Sequence, residues 1–231
     1  MSFFNRKIKA VAIDGPAGSG KSTVARLVAE KLGYRYIDTG AMYRALTLKM
    51  MKCGIDLSFE DKIVTITEKT DIEILPSVSK ASTSRVLLDG EDVSEAIRKM
   101  EVTSNVKHVC KIPAVRKKLV AMQRKIAVSS DGSVMEGRDI GTVVLKDARY
   151  KFYVDASFDR RVERRFSEMK AKGETVTREC VADDLRQRDH TDKTRKVGPL
   201  KMATDAVLID TTELAVEEVV DIIVDKVRSD K

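Results

Sequence analysis

Apolar residues along this chain fall at two spacings, and their alternation predicts most of the fold. Ile8 to Ile13 is a largely apolar run of strand length, and after it Val24, Leu27, Val28 and Leu32 recur on one helical face until Gly33 supplies a stop. Tyr34 to Asp38 reads as a second short strand, and Met42, Ala45, Leu46 and Met50 share one face of the next helix, which Gly54 closes. Pro113 suits the first position of a later helix, with Val115, Leu119, Met122 and Ile126 in one stripe and Arg116 and Gln123 off it. Ser133 to Met135 opens a third core strand that ends at Glu136, and Tyr150 to Asp155 forms a fourth. From Ser157 a helix turns Phe158, Val162, Phe166 and Met169 inward, with Arg160, Arg161, Arg164 and Arg165 on its other side. Ala206 to Asp210 is a fifth strand, and Val216, Val219, Val220, Ile223 and Val227 mark the last helix. Strands alternating with helices form a parallel sheet that binds ligands at the carboxyl ends of its strands.

The alternation breaks between 61 and 105. Asp71–Leu75 and Arg85–Gly90 read as two short strands around the polar stretch Pro76 to Ser84, without a crossover helix, and a short helix ends near Lys99. Such a unit is antiparallel. The expected organisation is therefore an α/β core over 1–60, 106–158 and 196–231, an antiparallel insertion over 61–105, and a charged lid and acceptor-site segment over 159–195.

Candidate chemistry begins where the first strand meets its helix, at Gly15-Pro16-Ala17-Gly18-Ser19-Gly20-Lys21-Ser22-Thr23. Glycines let backbone wrap an anion, and the free amides of a helix start point into the loop with a favourable dipole behind them. Lysine at this offset reaches the β- and γ-phosphates of a nucleoside triphosphate, and the Ser22 hydroxyl suits a magnesium ion. Asp38 to Arg44 follows a neighbouring strand end beside this loop. Arg44 and Tyr43 have two readings there: both are ordinary surface and core residues, or Arg44 meets a phosphate. Glu136, at the third strand end, is either a solvated carboxylate or a magnesium ligand acting through water. Arg44, Arg138, Arg188 and Arg195 together supply cationic capacity for a second phosphorylated ligand, and the four arginines after Ser157 suit a lid closing on the triphosphate.

Composition narrows the class. The 231 residues suffice for a sizeable core, and 42% hydrophobic with 34% charged residues describes a globular chain with a charged surface. No apolar run approaches the about 20 residues of a membrane span, and Met1 to Lys7 lacks the order of charge and apolar stretch of a signal peptide, so the cytoplasm is expected. Cys53, Cys110 and Cys180 have neither disulfide nor zinc spacing. The net charge of +7 fits nucleic acid or phosphorylated small molecules. The chain carries no RNP-type aromatic signature, zinc finger or tryptophan, so small molecules are the expected partners. His108 and His190 receive no catalytic role.

Several blocks resemble the bacterial cytidylate kinase family. They are Gly15 to Thr23, Ile37 to Arg44, Leu88 to Val93, Gly137 to Val144, Asp155 to Ser157, Arg188-Asp189 with Asp192 and Arg195, Pro199-Leu200, and Ile209 to Thr212. They follow the family's order over nearly the whole chain. The resemblance implies a five-stranded parallel core, a mobile lid, and transfer of the ATP γ-phosphate to CMP or dCMP by a monomer that uses magnesium. It assigns Arg44, Arg138 and Arg195 to the acceptor phosphate, Asp192 to the ribose, and Arg116 and Asp139 to the cytosine. Lys21 and, in the lid, Arg161 with Arg164 or Arg165 fall to the transferring group. One departure stands out: Lys107 occupies the position where the family usually has a serine that helps hold the base, which predicts weaker discrimination between CMP and UMP. The alternatives are a kinase for UMP, AMP or shikimate, or a nucleotide-dependent switch or RNA-binding protein.

Overall fold

A computed structural model describes residues 9–75 and 84–229. The first strand, β1 (Ala10–Asp14), is buried along its whole length and runs into the glycine loop and α1 (Lys21–Leu32). Ile8, expected at the head of that strand, lies outside the described residues, as does the expected loop 76–83. After β2 (Arg35–Asp38), α2 (Thr39–Lys52) begins on the Asp38 side chain, which accepts a hydrogen bond from the Ala41 amide at 3.0 Å.

Next come α3 (Glu60–Lys69), β3 (Ile72–Leu75), β4 (Arg85–Leu88) and the two-residue β5 (Glu91–Asp92). The three strands pair antiparallel in a small sheet of their own, as the missing crossover helix implied. Two features differ from expectation. The helix expected to end near Lys99 is a single 3-10 turn, Ala96–Arg98, and a full helix, α4 (Met100–Cys110), follows it. Neither α3 nor α4 was anticipated, because each buries only a narrow stripe: Ile63 and Thr67 in α3, and Val102, Val109 and Cys110 in α4. The expected boundary at 105 falls inside α4, and α2, α3, β3, β4, α4 and α5 share one apolar cluster around Met42, Leu46, Ile63 and Leu119. The small sheet is thereby fused to the core through α2.

The remainder is α5 (Pro113–Val128), β6 (Ser133–Gly137), a π-helical turn (Ile140–Val144), β7 (Tyr150–Asp155), α6 (Phe158–Ala171), α7 (Arg178–Thr194), β8 (Val207–Asp210) and α8 (Val216–Ser229). The main sheet has five strands in the order β2-β6-β1-β7-β8, every pair parallel. Helices flank it, and α1 and α8 bury Val24, Val28, Val220 and Ile223 against Ile13 and Phe152. All five strands point their carboxyl ends the same way, so Asp14, Asp38, Gly137, Asp155 and Asp210 end on one edge. The site forms along that edge.

Candidate active site

A cleft of about 790 Å³ opens along this edge, bordered by the glycine loop, β2 and β6, α4 and α5, and α6 and α7. Gly18 and Gly20 have φ of 76° and 87°, which suits residues without a Cβ, and a Cβ on Gly15 would collide with the Val154 carbonyl. Ala17 to Thr23 face the opening. Lys21 is buried under the loop and donates to the Pro16 carbonyl at 2.9 Å. Burial, with Arg138 nearby, lowers its ammonium to about 7.

Ser22 and Glu136 come together across 114 residues: the hydroxyl donates to Glu136 Oε2 at 2.8 Å. Tyr36 donates to the other oxygen, Oε1, at 2.7 Å, and burial beside Glu136 pushes its phenol well above the ordinary value. The β2–β6 register explains this contact. Asp38 pairs with Glu136 in parallel strands, so Tyr36, two residues back, shares Glu136's face. Sequence reasoning missed Tyr36, because only strand register reveals its partner.

The opposite half of the cleft holds arginines paired with carboxylates. Arg44 meets Asp38 at 2.7 Å. Burial alone would push the Asp38 carboxyl up, but Arg44, Arg98 and the Ala41 amide hold it below the ordinary value. Arg138 meets Asp192 at 2.7 Å, and Arg195 lies 3.6 Å from the same carboxylate. Arg116 and Asp139 form a hydrogen-bonded ion pair whose side chains are 3% and 8% exposed, and Arg195 stands 3.5 Å from the second Asp139 oxygen. The Tyr43 ring lies under the Arg116 guanidinium at 5.5 Å, and Lys107 and Cys110 border the same end. Arg116 and Gln123, off the α5 stripe, are both buried, since α5 is covered on more than its apolar side.

Of the arginines expected to form a lid, Arg164 and Arg165 border the cleft, as does Arg188 of α7, which lies 3.6 Å from Asp184. Arg164 donates to the Ser19 carbonyl at 3.3 Å and to Thr211. Arg161 differs from expectation. It is 6% exposed, sits behind the loop rather than in the cleft, donates to the Ala17 and Ala156 carbonyls, and pairs with Asp189 of α7 at 2.7 Å. A guanidinium that satisfies carbonyls and a carboxylate at once can be buried on a face that looked solvated. Here it ties α6 and α7 to the loop.

Two observations say what the cleft receives. Twelve lysines and arginines border it against seven carboxylates, so most of the chain's surplus of +7 is gathered here. Residues bordering it also carry buried donors that lack a hydrogen-bond partner within the described residues: Nε of Arg44, Arg116 and Arg165, and Oγ of Ser19. Buried donors are rarely left unpaired, so the cleft is made for a ligand rich in acceptors and negative charge.

The fold and this cleft together define a phosphate-loop nucleotide-binding protein of the kinase kind. The family model described as Cytidylate kinase matches residues 11–229. A cytidylate kinase of Caldanaerobacter subterraneus subsp. tengcongensis is 50% identical over 94% of each chain, and one of Caldicellulosiruptor saccharolyticus is 48% identical over 90% of this chain and 91% of its own. A solved structure of an uncharacterized protein from Eubacterium ventriosum shares the fold at TM-score 0.50 and 14% identity, covering 97% of this chain and 99% of that one. The chain belongs to the cytidylate kinase family.

Proposed function

We propose that this chain transfers the γ-phosphate of ATP to CMP or dCMP, giving CDP or dCDP. The observation that carries the reading is the buried Arg116–Asp139 pair at the far end of a cleft whose near end is the phosphate loop. Cytosine presents an amino donor at N4 beside acceptors at N3 and O2, which matches a carboxylate next to a guanidinium. Uracil would turn its O4 toward Asp139, and a buried polar mismatch discriminates far more strongly than a missing methylene.

In this reading Gly15 to Thr23 cradle the donor phosphates, with Lys21 on the β- and γ-phosphates. Arg44, Arg138 and Arg195 take the acceptor phosphate, Asp192 and Arg188 the ribose side, and Asp38, Tyr43 and Lys107 line the acceptor's seat. An oxygen of the acceptor phosphate forms the new bond to the γ-phosphorus as the bond from that phosphorus to the β–γ bridging oxygen breaks. No side chain acts as nucleophile; the protein aligns the two phosphates and neutralises charge. Ser22 and Glu136 form an oxygen-only donor pair of the sort magnesium prefers, and a bound Mg2+ would neutralise the β- and γ-oxygens. Arg164 and Arg165 close over the transferring group while Arg161 braces the loop, and closure excludes water. Residues 61–105 serve as the monophosphate-side insertion and 159–195 as the lid. The same reading makes the protein a cytoplasmic monomer acting on small nucleotides, with neither nucleic acid nor membrane as partner. Among the described residues no helix is long and apolar enough to cross a membrane.

The test is a coupled assay of ADP release with CMP, dCMP, UMP, AMP and shikimate as acceptors. CMP and dCMP should exceed the others in kcat/KM by about a hundredfold. A strong preference for a non-cytidine acceptor would overturn the reading, as would acceptor-independent hydrolysis coupled to salt-sensitive RNA binding.

A further inference from the structure

We propose that Asp14 is a positioning residue for the acceptor side, its carboxylate clamping the turn that carries Arg138 and Asp139 into the cleft; this rests on the CMP reading above. Asp14 ends β1 beside Gly137 of β6, is 4% exposed, and does not itself border the cleft. Its Oδ1 accepts from the Ile140 amide at 2.8 Å and its Oδ2 from the Gly141 amide at 2.7 Å. These are the first amides of the π-helical turn, which have no partner within that turn. At the other end of the segment, Thr39 Oγ1 donates to the Glu136 carbonyl at 2.7 Å. A Cβ on Gly137 would press to 2.7 Å against both Thr39 Oγ1 and the Ile140 side chain. Gly137, Arg138 and Asp139 are thus strung between two fixed points, and the directions of the Arg138 and Asp139 side chains follow.

Two parallel donors require two acceptors, which an ionised carboxylate provides and an amide does not. The charged and titratable groups around Asp14 are Arg138 and Asp139 on the turn, Tyr153 across on β7, and Lys151, whose chain passes Gly141. Burial pushes the Asp14 carboxyl up to about 6, against the opposing pull of the two amides. Protonation in mild acid therefore removes one acceptor and loosens the turn from which Arg138 and Asp139 project.

The experiment compares wild type with Asp14→Asn and Asp14→Glu. In Asp14→Asn the KM for CMP should rise about tenfold while the KM for ATP stays within about twofold, and Asp14→Glu, which keeps both acceptors, should recover part of the loss. Wild-type CMP affinity should fall below pH of about 6 more steeply than that of Asp14→Asn, in which only the ionisation of the acceptor phosphate remains. Amide NMR on the wild type adds a readout independent of how the variants fold: the Ile140 and Gly141 resonances should titrate together over the same range. Equal rises in both KM values, an unchanged KM for CMP, or Ile140 and Gly141 amides that do not move with pH would each overturn the clamp. A wild type that fails to phosphorylate CMP rejects the functional reading instead, and the amide titration then judges the clamp alone.

Discussion

Asp139→Asn separates base recognition from structural support. The substitution keeps shape but replaces a carboxylate whose side chain is 8% exposed, and whose partner Arg116 is 3% exposed, by a neutral amide. Removing one member of a buried pair outright costs about 3–5 kcal/mol, but the asparagine carbonyl still accepts from Arg116, which brings the expected loss to about 2 kcal/mol. For a chain of this size that corresponds to a fall in Tm of about 4–8 °C. The effect on specificity should be larger. A charge-assisted hydrogen bond to the cytosine amino group contributes about 1.5–3 kcal/mol, so kcat/KM for CMP should drop by about ten- to a hundredfold. UMP moves the other way, because the amide N–H can now meet O4. The UMP to CMP ratio of kcat/KM should therefore rise by at least about a hundredfold. The assay is ADP release at saturating ATP with each acceptor, alongside a thermal melt. Equal losses for CMP and UMP would refute the reasoning and leave Asp139 as a partner for Arg116 only.

Three other predictions probe different parts of the cleft. Lys107→Ser should increase the preference for CMP over UMP in steady-state kinetics, since it removes a long cation from the base-binding end; an unchanged ratio would reject that role. Tyr36→Phe frees Glu136 Oε1 and should raise the magnesium concentration needed for half-maximal activity by about tenfold, with the KM for CMP unaltered, whereas an unmoved magnesium titration would leave the Tyr36 hydroxyl without a role. Because burial raises the Asp14 carboxyl from 3.8 to about 6, the folded state binds a proton that the unfolded state has released. Stability from this group is thus greatest below about pH 4 and falls as pH rises through 6, by about 3 kcal/mol in all, the cost of holding ionised the carboxylate that clamps the turn, and chemical denaturation of Asp14→Asn should lack that slope.

Residues whose type is dictated by their ligand could be read from the chain, and residues whose type is dictated by a distant neighbour could not. Gly18, Gly20, Lys21 and Ser22 carry their meaning within five consecutive positions, because phosphate geometry fixes both the backbone twist and the side chains around it. The first strand, β1, was equally plain, since a strand buried on both faces is an apolar run. In contrast, α7 hides its helical period in charge: only Val181, Leu185 and Asp189 along its 17 residues are buried. Arg161 looked solvated for a related reason. Its place in the interior depends on Asp189, 28 positions away, and on the Ala17 carbonyl, and no local pattern reports either. Tyr36 and Asp14 share this character, the first defined by the β2–β6 register and the second by a turn 126 residues on. Arg161 and Asp14 lie behind the cleft and Tyr36 on its wall, where they hold the loop, the Arg138–Asp139 turn and the Glu136 carboxylate respectively. The cleft-lining groups proposed to meet substrate were therefore legible in sequence, while those that brace them emerge only once the strands are in register.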